Sequence, residues 1–179
     1  LFTCTVSSGT ATLAFASAPN YDSPADDGTN NVYDVTVTFT DGTNELSAQT
    51  TAITVTDLND QTPAATVAST YSVAENTATV GTMSITDTDT TGTQACSVAG
   101  TDGSLFTCTV SSGTATLAFA SAPNYDSAAD AGANNVYDVT VTFTDGSNTL
   151  GAQTSAITVT DLNDQTPAAT VSATYSVAE

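Results

Sequence analysis

The chain has 179 residues, with 19 Asp and Glu residues and no Lys, Arg or His, which gives a formal net charge of −19 at pH 7. This charge argues against nucleic acid and acidic membrane surfaces as partners, because their phosphates would be repelled, and it favours cations. The hydrophobic share of 40% permits a packed core. No stretch is long and apolar enough to predict membrane insertion.

The chain repeats itself at an offset of 104 residues. Residues 1–75 align without a gap to residues 105–179, and nine of these 75 positions differ. A unit of 104 residues has the usual size of a β-sandwich domain and is too long for a solenoid repeat. We therefore expect residues 1–61 to be the C-terminal part of one repeat, 62–165 a complete repeat and 166–179 the first strand of a third.

These boundaries predict that the chain is cut from a longer array. The first repeat lacks its early strands, which would leave open sheet edges. We expect the missing strands to lie upstream in the same protein or to come from a neighbouring molecule.

Short segments in which apolar and polar residues alternate occur throughout the chain. In chain order their apolar faces are carried by Leu13 and Phe15, by Tyr33 to Phe39, by Ile53 and Val55, by Tyr71 and Val73, and by Met83 and Ile85. Turn signals fall between them, with Ser-Gly at 8–9 and Asp-Gly at 41–42, 102–103 and 145–146. The pattern predicts an all-β fold of antiparallel strands packed as a sandwich, with no helix of useful length.

The chain has three cysteines. Cys4 and Cys108 occupy the same repeat position, and the equivalent of Cys96 would lie just upstream of Leu1. Cys96 and Cys108 are both expected to face the core, twelve residues apart across a Thr-Asp-Gly turn. A disulfide between them is plausible and would suit an oxidising extracellular setting, while two reduced, buried thiols are the alternative.

Acidic motifs recur in a fixed order within the 104-residue unit. The complete repeat contains YSVAEN (71–76), ITDTDTTG (85–92), APNYDS (122–127), FTDG (143–146) and DLNDQTP (161–167). This order and spacing resemble a cadherin repeat in its bacterial cadherin-like form. The family's marks are an acid on the first strand, an Asp-x-Asp loop, an acidic stretch mid-domain, Asp-Gly before the last strand, and Asp-x-Asn-Asp-Asn-x-Pro at the linker. The likeness covers the full period.

The resemblance implies seven-stranded Greek-key β-sandwiches (cadherin/Ig-like) in tandem, with Ca²⁺ at each junction. Carboxylate and amide oxygens are the ligands that Ca²⁺ prefers, and carboxylates brought together without a cation repel one another. At the first junction the implied ligands are Asp22, Asp57, Asn59, Asp60, Asp87, Asp89 and Asp145. At the second they are Glu75, Asp126, Asp161, Asn163 and Asp164. Glu179 and Asp41 would serve further junctions.

Some positions depart from the family pattern. Asn20 and Asn124 stand where the mid-domain motif usually has an acid, Gln61 and Gln165 replace the last Asn of the linker, and Ala74 replaces a common proline. The number of ions per junction, from one to three, therefore stays open.

Three further acids are interpreted without a metal. They are Asp26, Asp27 and Asp130, which lie in Gly- and Asn-rich segments. Acids in such segments are expected to be solvated turn residues or loop caps. They are not included in either ligand set.

The leading functional hypothesis is structural and adhesive. Ca²⁺ bound at a linker removes its hinge freedom, so repeats become a stiff extracellular or cell-surface stalk or filament. The expected partners are neighbouring repeats of the same protein. A variant of this hypothesis is a homopolymer in which Ala168–Glu179 donates a strand to a neighbouring molecule. The alternative is a glycan- or protein-binding accessory module. The chain lacks Ser/His and Cys/His patterns, and we do not expect an enzyme.

Overall fold

The computed structural model describes residues 1–171, 173–174 and 176–179, and this part of the chain is all-β. Its strands, in chain order, are β1 (Phe2–Ser7), β2 (Thr10–Phe15), β3 (Val32–Val37), β4 (Gln49–Thr54), β5 (Thr70–Ala74), β6 (Thr79–Ser84), β7 (Ala95–Ala99), β8 (Phe106–Ser111), β9 (Thr114–Phe119), β10 (Val136–Thr144) and β11 (Gln153–Thr160). Two short 3-10 turns, Gly103–Leu105 and Tyr125–Ser127, are the helical elements of the described residues. None of them has the length or apolarity of a membrane-spanning helix.

The described chain divides into two compact units. The first unit contains Leu1–Ala65, Ser84–Ala95 and Phe143–Gly151, and the second contains Thr66–Met83, Cys96–Thr142 and Ala152–Glu179. Two loops of the predicted complete repeat, 84–95 and 143–151, thus group with the segment before it. The repeat boundaries expected at 61 and 165 remain predictions.

Strands β5 to β11 form the predicted β-sandwich. One sheet has four strands in the order β5-β11-β10-β7, and the other has three in the order β6-β9-β8. Strand β10 runs antiparallel to β11 and β8 antiparallel to β9, whereas β5 runs parallel to β11. The strand order, in which β5 lies beside β11 and β6 beside β9, confirms the predicted Greek-key fold class. The parallel pairing of β5 with β11 departs from the expectation that all strands are antiparallel.

The core of the second unit is built from the alternating faces of both sheets. Leu117 of β9, Val141 of β10 and Ile157 of β11 are fully buried, and Tyr137 and Val159 are almost so. Each fully buried Leu or Ile stabilises the fold by about 1.5–3 kcal/mol relative to an exposed side chain. The apolar residues of the predicted period-two alternation are therefore the ones that the sandwich buries.

An aromatic trio recurs in both units. In the second unit Phe119 lies 4.3 Å from Phe106 and 5.1 Å from Tyr137, measured between ring centroids. The equivalent distances in the first unit, from Phe15 to Phe2 and to Tyr33, are 4.4 and 5.1 Å. The edge-to-face contacts add to area burial and fix the same local packing in both copies.

The two copies of one strand differ in length. Strand β3 ends at Val37, whereas β10, which has the same sequence over these positions, continues to Thr144. Strand β10 lies between β11 and β7, while β3 pairs with β4 alone. The alternation predicted from Tyr33 to Phe39 is thus expressed fully only where both edges are paired.

The disulfide between Cys96 and Cys108 is confirmed, with Cα atoms 5.7 Å apart. Because β7 belongs to the four-stranded sheet and β8 to the three-stranded sheet, the bond ties the two sheets together. Both cysteines are only half-buried, so the expectation that they face the core is met in part. Cys4 is a free and exposed thiol.

The Asp-Gly at 102–103 is not the hairpin turn that its sequence suggests. The chain crosses here from one sheet to the other through the 3-10 turn Gly103–Leu105, so β7 and β8 are not paired. Asp102 is buried, and its carboxylate accepts hydrogen bonds from the N–H groups of Ala131 and Asp138, both at 2.8 Å. This side chain fastens the crossover to β10 and to the loop before it.

The described residues of the C-terminal segment 166–179 lie outside regular secondary structure. Ser172 and Tyr175 of this segment lie outside the described residues. The expected first strand of a third repeat therefore stays a prediction.

Removal of the disulfide is expected to destabilise the second unit. The double substitution Cys96→Ser/Cys108→Ser frees a loop with a sequence separation of 12. A closed loop of this length stabilises a fold by about 3 kcal/mol. Denaturant unfolding should show this loss, while the exposed Cys4→Ser control should unfold like the unchanged chain. Equal stability of all three proteins would contradict the assignment.

Candidate metal centre

The first unit gathers most of the acids predicted for the first junction. Oxygens of Asp87, Asp89 and Asp145 lie within 4.8 Å of one another, and so do those of Asp22, Asp60 and Asp89. Asp89 belongs to both groups and is buried, as is Asp145. The structure thus places five predicted residues in two overlapping clusters.

Asn59 belongs to the linker segment, residues 57–63, whose sequence DLNDQTP repeats that of 161–167. Its side chain enters the cluster that contains Asp89 and Asp145. Its side-chain oxygen lies 3.1 Å from Asp89 Oδ2 and 3.0 Å from Asp145 Oδ2. Three oxygens therefore converge, which is the arrangement of a cation site. Rotation of the amide by 180° would instead let its nitrogen donate to both carboxylates.

Asn148 supports this cluster and was missed from the sequence. Its side-chain nitrogen donates to Asn59 Oδ1 at 3.0 Å and to Asp145 Oδ2 at 3.1 Å, and its backbone N–H donates to Asp145 Oδ1 at 2.7 Å. The signal was present, because Asn three residues after the Asp of an Asp-Gly turn can cap that turn. The same pattern, Asp41 with Asn44, occurs in the first copy, where Asn44 donates 2.7 and 3.1 Å hydrogen bonds to Asp41.

The linker segment is also held through Asp57 and Gln61. Asp57 Oδ2 accepts from the hydroxyl of Thr90 at 2.6 Å. The backbone N–H of Gln61 donates to Asp89 Oδ2 at 2.8 Å, and its side chain donates to Asp60 at 2.7 Å. Gln61, a departure from the family pattern, thus contacts two of the clustered acids.

Two carboxylate oxygens in this region are buried without a hydrogen-bond partner. They are Oδ1 of Asp57 and Oδ1 of Asp89. A buried acceptor left unpaired costs about 1–3 kcal/mol, more for a charged group. An oxygen-preferring cation would satisfy both atoms, so the residues present fit Ca²⁺.

The electrostatics of the first cluster agree with its geometry. Desolvation, and then the charges of Asp89, Asp60 and Asp57, raise the pKa of Asp22. Asp57 and Asp145 behave in the opposite way. The hydrogen bond from the Thr90 side chain lowers the pKa of Asp57. For Asp145, desolvation raises the pKa, but hydrogen bonds from Asn148 and Ser147 outweigh it and lower the pKa.

The second unit assembles the acids predicted for the second junction. Oxygens of Glu75, Asp126 and Asp164 lie within 4.8 Å of one another. Glu75 is fully buried and accepts from the N–H groups of Tyr125 at 2.9 Å and Leu162 at 2.8 Å. Desolvation, followed by the charges of Asp126 and Glu75, raises the pKa of Asp161.

Asn163 is exposed in the segment between Asp161 and Asp164. Its side chain makes no hydrogen bond within the described part of the chain, unlike that of Asn59, its counterpart in the first copy. Glu179, expected to serve a further junction, is exposed. The metal role of all twelve residues remains a prediction.

The Asn residues of the mid-domain motif have a different task from the acids that they replace. Asn20 accepts from the N–H of Asp22 at 2.8 Å, and Asn124 accepts from the N–H of Ser127 at 3.1 Å. Each side chain holds the turn that carries the neighbouring Asp. The departure from the family pattern therefore preserves the backbone that presents Asp22 and Asp126.

Asp26 and Asp130 are loop caps, as one of the two interpretations expected, but they are not solvated. Both are buried, and each accepts two backbone N–H groups, from Asn30 and Asn31 for Asp26 and from Asn134 and Asn135 for Asp130. A carboxylate can be buried here because the loop backbone replaces its water. Asp27 is exposed.

Gly92 lets the linker segment approach the cluster. Its φ is +98°, and a Cβ at this position would clash with the side chain of Asn59 and lie 2.7 Å from the carbonyl oxygen of Asp145. Gly146 has a similar φ of +102°, but its nearest neighbour would be 3.8 Å away. Gly92 and Gly146 therefore share a positive φ, but only at Gly92 would an added Cβ also clash with neighbouring atoms.

Gly92→Ala is therefore expected to weaken cation binding, whereas Gly146→Ala should not. Both substitutions place a side chain at positive φ, at a cost of about 1–3 kcal/mol each in the free energy of unfolding. Only Gly92→Ala displaces Asn59. Calorimetric Ca²⁺ titration of both variants checks this, and equal affinities in the two proteins would contradict the role of Gly92.

In Ca²⁺-free buffer the stability of the chain is expected to rise as the pH falls from 7 towards the ordinary Asp pKa of 3.8. Asp22 and Asp161 have raised pKa values in the folded state, so the folded chain takes up protons before the unfolded chain does. Asp57 and Asp145 have lowered pKa values, and their stabilisation is lost only below that pH. Thermal unfolding from pH 7 to 3 should show a maximum, and a steady decline from pH 7 would contradict this.

Comparison with known proteins places the fold. Neither protein family models nor curated protein sequences give a match. Among solved structures, the protocadherin gammaB7 EC3-6 cis-dimer structure matches with a TM-score of 0.62 and 20% identity over 92% of this chain and 38% of that chain. The protocadherin gammaB4 extracellular domain gives 0.60 and 19% over 90% and 25%. Mouse cadherin-23 EC22-24 gives 0.57 and 18% over 89% and 50%.

The chain thus spans a quarter to a half of the length of these three structures. At such identities the likeness concerns the fold, and it agrees with the sheet order described above. The chain is cadherin-like in its fold.

Proposed function

We propose that the chain is part of an extracellular stalk or filament whose cadherin-like repeats are stiffened by Ca²⁺. The observation that carries the proposal is the convergence of Asp57, Asn59 and Asp60 of the linker segment with Asp89 and Asp145 of the following loops. Two of these acids have a buried oxygen with no hydrogen-bond partner. The chain has no Lys, Arg or His to neutralise them, so a cation from solution would supply the missing positive charge.

The ion would supply positive charge to oxygens that otherwise repel. Asp22, Asp57, Asn59, Asp60, Asp87, Asp89 and Asp145 would hold it at one site, and Glu75, Asp126, Asp161, Asn163 and Asp164 at the other. Asn148 would orient Asn59 and Asp145. Because the linker residues would then be tied to loops on either side of them in sequence, the linker would lose its freedom to bend.

A structural and adhesive role agrees with the other features of the chain. The near-identical repeats suit a function that depends on length, and the disulfide suits an oxidising extracellular compartment. The partners that we propose are neighbouring repeats of the same protein. Among the described aromatic residues, Tyr33, Tyr137, Phe106, Phe119 and Phe143 are buried, whereas Phe39 and Tyr125 are exposed. Few exposed rings of the described chain could therefore stack on a glycan.

Assembly by strand donation is a second form of the same proposal. In the second unit β5 pairs in parallel with β11, from Thr70 opposite Ala156 to Ala74 opposite Thr160. Strand β4 has the sequence position of β11 in the first copy and pairs with β3. The segment 168–179 of another molecule would add to β4 as β5 adds to β11.

Asp89→Asn is expected to weaken Ca²⁺ binding at the first cluster by at least tenfold, because Asp89 contributes to both groups of acids there. Asp138→Asn is the matched control, since Asp138 is exposed on β10 and belongs to neither cluster. Calorimetric titration measures the affinities, and small-angle scattering with Ca²⁺ or chelator measures stiffness.

The unchanged chain and Asp138→Asn should become longer and less flexible when Ca²⁺ is added, and Asp89→Asn should respond much less. Scattering profiles that do not change with Ca²⁺ would overturn the stiffening mechanism. Equal affinities for the two variants would overturn the site.

A further inference from the structure

The acids of the first cluster form two groups that share Asp89. We call Asp87, Asp89 and Asp145 the inner group and Asp22, Asp60 and Asp89 the outer group. Asp145 is buried, whereas Asp22 and Asp60 are exposed. The two groups therefore differ in how far water reaches their oxygens.

Gln61 contacts the outer group at each of its acids. Its backbone N–H donates to Asp89 Oδ2 at 2.8 Å, and its side-chain nitrogen donates to Asp60 Oδ1 at 2.7 Å. Desolvation and the neighbouring carboxylates raise the pKa of Asp22, and a hydrogen bond from the Gln61 side chain opposes that rise. The side-chain amide thus lies between the two exposed acids of the group.

The inner group is arranged differently. Of the described acids, Asn148 donates to Asp145, through its side-chain nitrogen at 3.1 Å and its backbone N–H at 2.7 Å. Oδ1 of Asp89 is buried and has no hydrogen-bond partner among the described residues. An amide that holds one carboxylate orients it and leaves room for an ion. An amide between two carboxylates stands where a shared ion would bind.

The contact between Gln and the preceding Asp recurs in the second copy of the repeat. Gln165, the counterpart of Gln61, donates to Asp164 Oδ1 at 2.9 Å, and Asn76 donates to Asp164 Oδ2 at 3.0 Å. Asp164 is exposed, as is its counterpart Asp60. Because the chain has no Lys, Arg, His or Trp, Asn and Gln are its sources of side-chain N–H donors. In both copies a side-chain amide therefore partly balances the charge of the exposed linker acid.

We propose that Gln61 is a built-in competitor of the cation at the outer group. In the ion-free chain its amide bridges Asp60 and Asp22, and an ion shared by these acids has to displace that amide. The inner group has no such bridge among the described residues and keeps a free oxygen on Asp89, so it binds its ion at a lower Ca²⁺ concentration. The inference rests on the proposed Ca²⁺ site and names the residue that separates binding into two steps.

The replacement of Asn by Gln gives this competitor its reach. Asn stands at this linker position in the cadherin pattern, and Gln carries its amide one methylene farther from the backbone. The apparent affinity of a site falls with the fraction of molecules in which the site is free to bind. If the amide occupied the outer group in about nine-tenths of the molecules, the ion would bind there about tenfold more weakly.

The test compares two substitutions that replace a Gln amide by a side chain of similar length. Gln61→Met removes the proposed competitor. Gln49→Met is the matched control, since Gln49 is exposed in the same unit and its side chain donates to the carbonyl oxygen of Ser47 at 2.8 Å. Circular dichroism establishes that both variants of the whole chain are folded.

An NMR titration with CaCl₂ follows the two groups separately. The backbone amide signal of Asp145 reports on the inner group, and that of Asp60 reports on the outer group. In the unchanged chain and in Gln49→Met, the inner group should saturate at a lower Ca²⁺ concentration than the outer group. In Gln61→Met the midpoint of the outer group should fall about three- to tenfold, while the midpoint of the inner group stays the same.

The ion-free chain provides a second readout. In chelator, Gln61→Met should unfold at a lower denaturant concentration than Gln49→Met, because the two exposed acids then repel one another without the bridging amide. In the unchanged chain the side-chain amide signals of Gln61 should shift at the midpoint of the outer group, as the ion displaces the amide from Asp60.

Weaker binding at the outer group in Gln61→Met would make Gln61 a residue that positions the ligands, and it would overturn the proposal. Equal midpoints in the two variants, or equal stability in chelator, would do the same. Binding at the inner group without any gain at the outer group would reject the competitor and leave the proposed Ca²⁺ site in place. No shift at either group in any of the three proteins would reject the proposed Ca²⁺ site together with this inference.

Discussion

Carboxylates that converge without an internal counter-charge are the constraint on which the rest of this structure depends. Asp89 belongs to two groups of acids whose oxygens lie close together. Both Asp89 and Asp57 have one buried oxygen without a hydrogen-bond partner. Neighbouring loops respond by turning N–H groups towards the acids, as Asn148 and Ser147 do at Asp145. These hydrogen bonds reduce the repulsion between the carboxylates. They still leave oxygen lone pairs without a donor, as at Asp57 and Asp89.

The same principle separates two classes of acid in one chain. Asp102, Asp26 and Asp130 are buried and accept backbone N–H groups, so they close loops and need no ion. Asp22 and Asp161 lie beside other carboxylates, and their pKa values are raised by desolvation and by those neighbours. A carboxylate in this chain is therefore defined less by its exposure than by whether its neighbours are amides or other acids.

Much of the fold could be predicted from the sequence, because it is written in local patterns. Alternating residues such as Tyr137, Val139 and Val141 do lie on the buried face, and the pair Cys96–Cys108 could be proposed from its spacing. Features that depend on tertiary contact could not. The need for glycine at position 92 comes from the side chain of Asn59, and Asp102 is held at the crossover by Asp138, 36 residues later. Neither feature can be predicted from the residues next to it in sequence.

The disulfide has a mechanical consequence for any array of such repeats. It encloses the eleven residues between Cys96 and Cys108, which include the 3-10 turn and the start of β8. If a repeat were pulled open along its length, these residues could not straighten, and about 40 Å of contour length would stay folded away. Each oxidised repeat would therefore release less contour length on unfolding than its number of residues suggests. A partly unfolded array would remain correspondingly shorter.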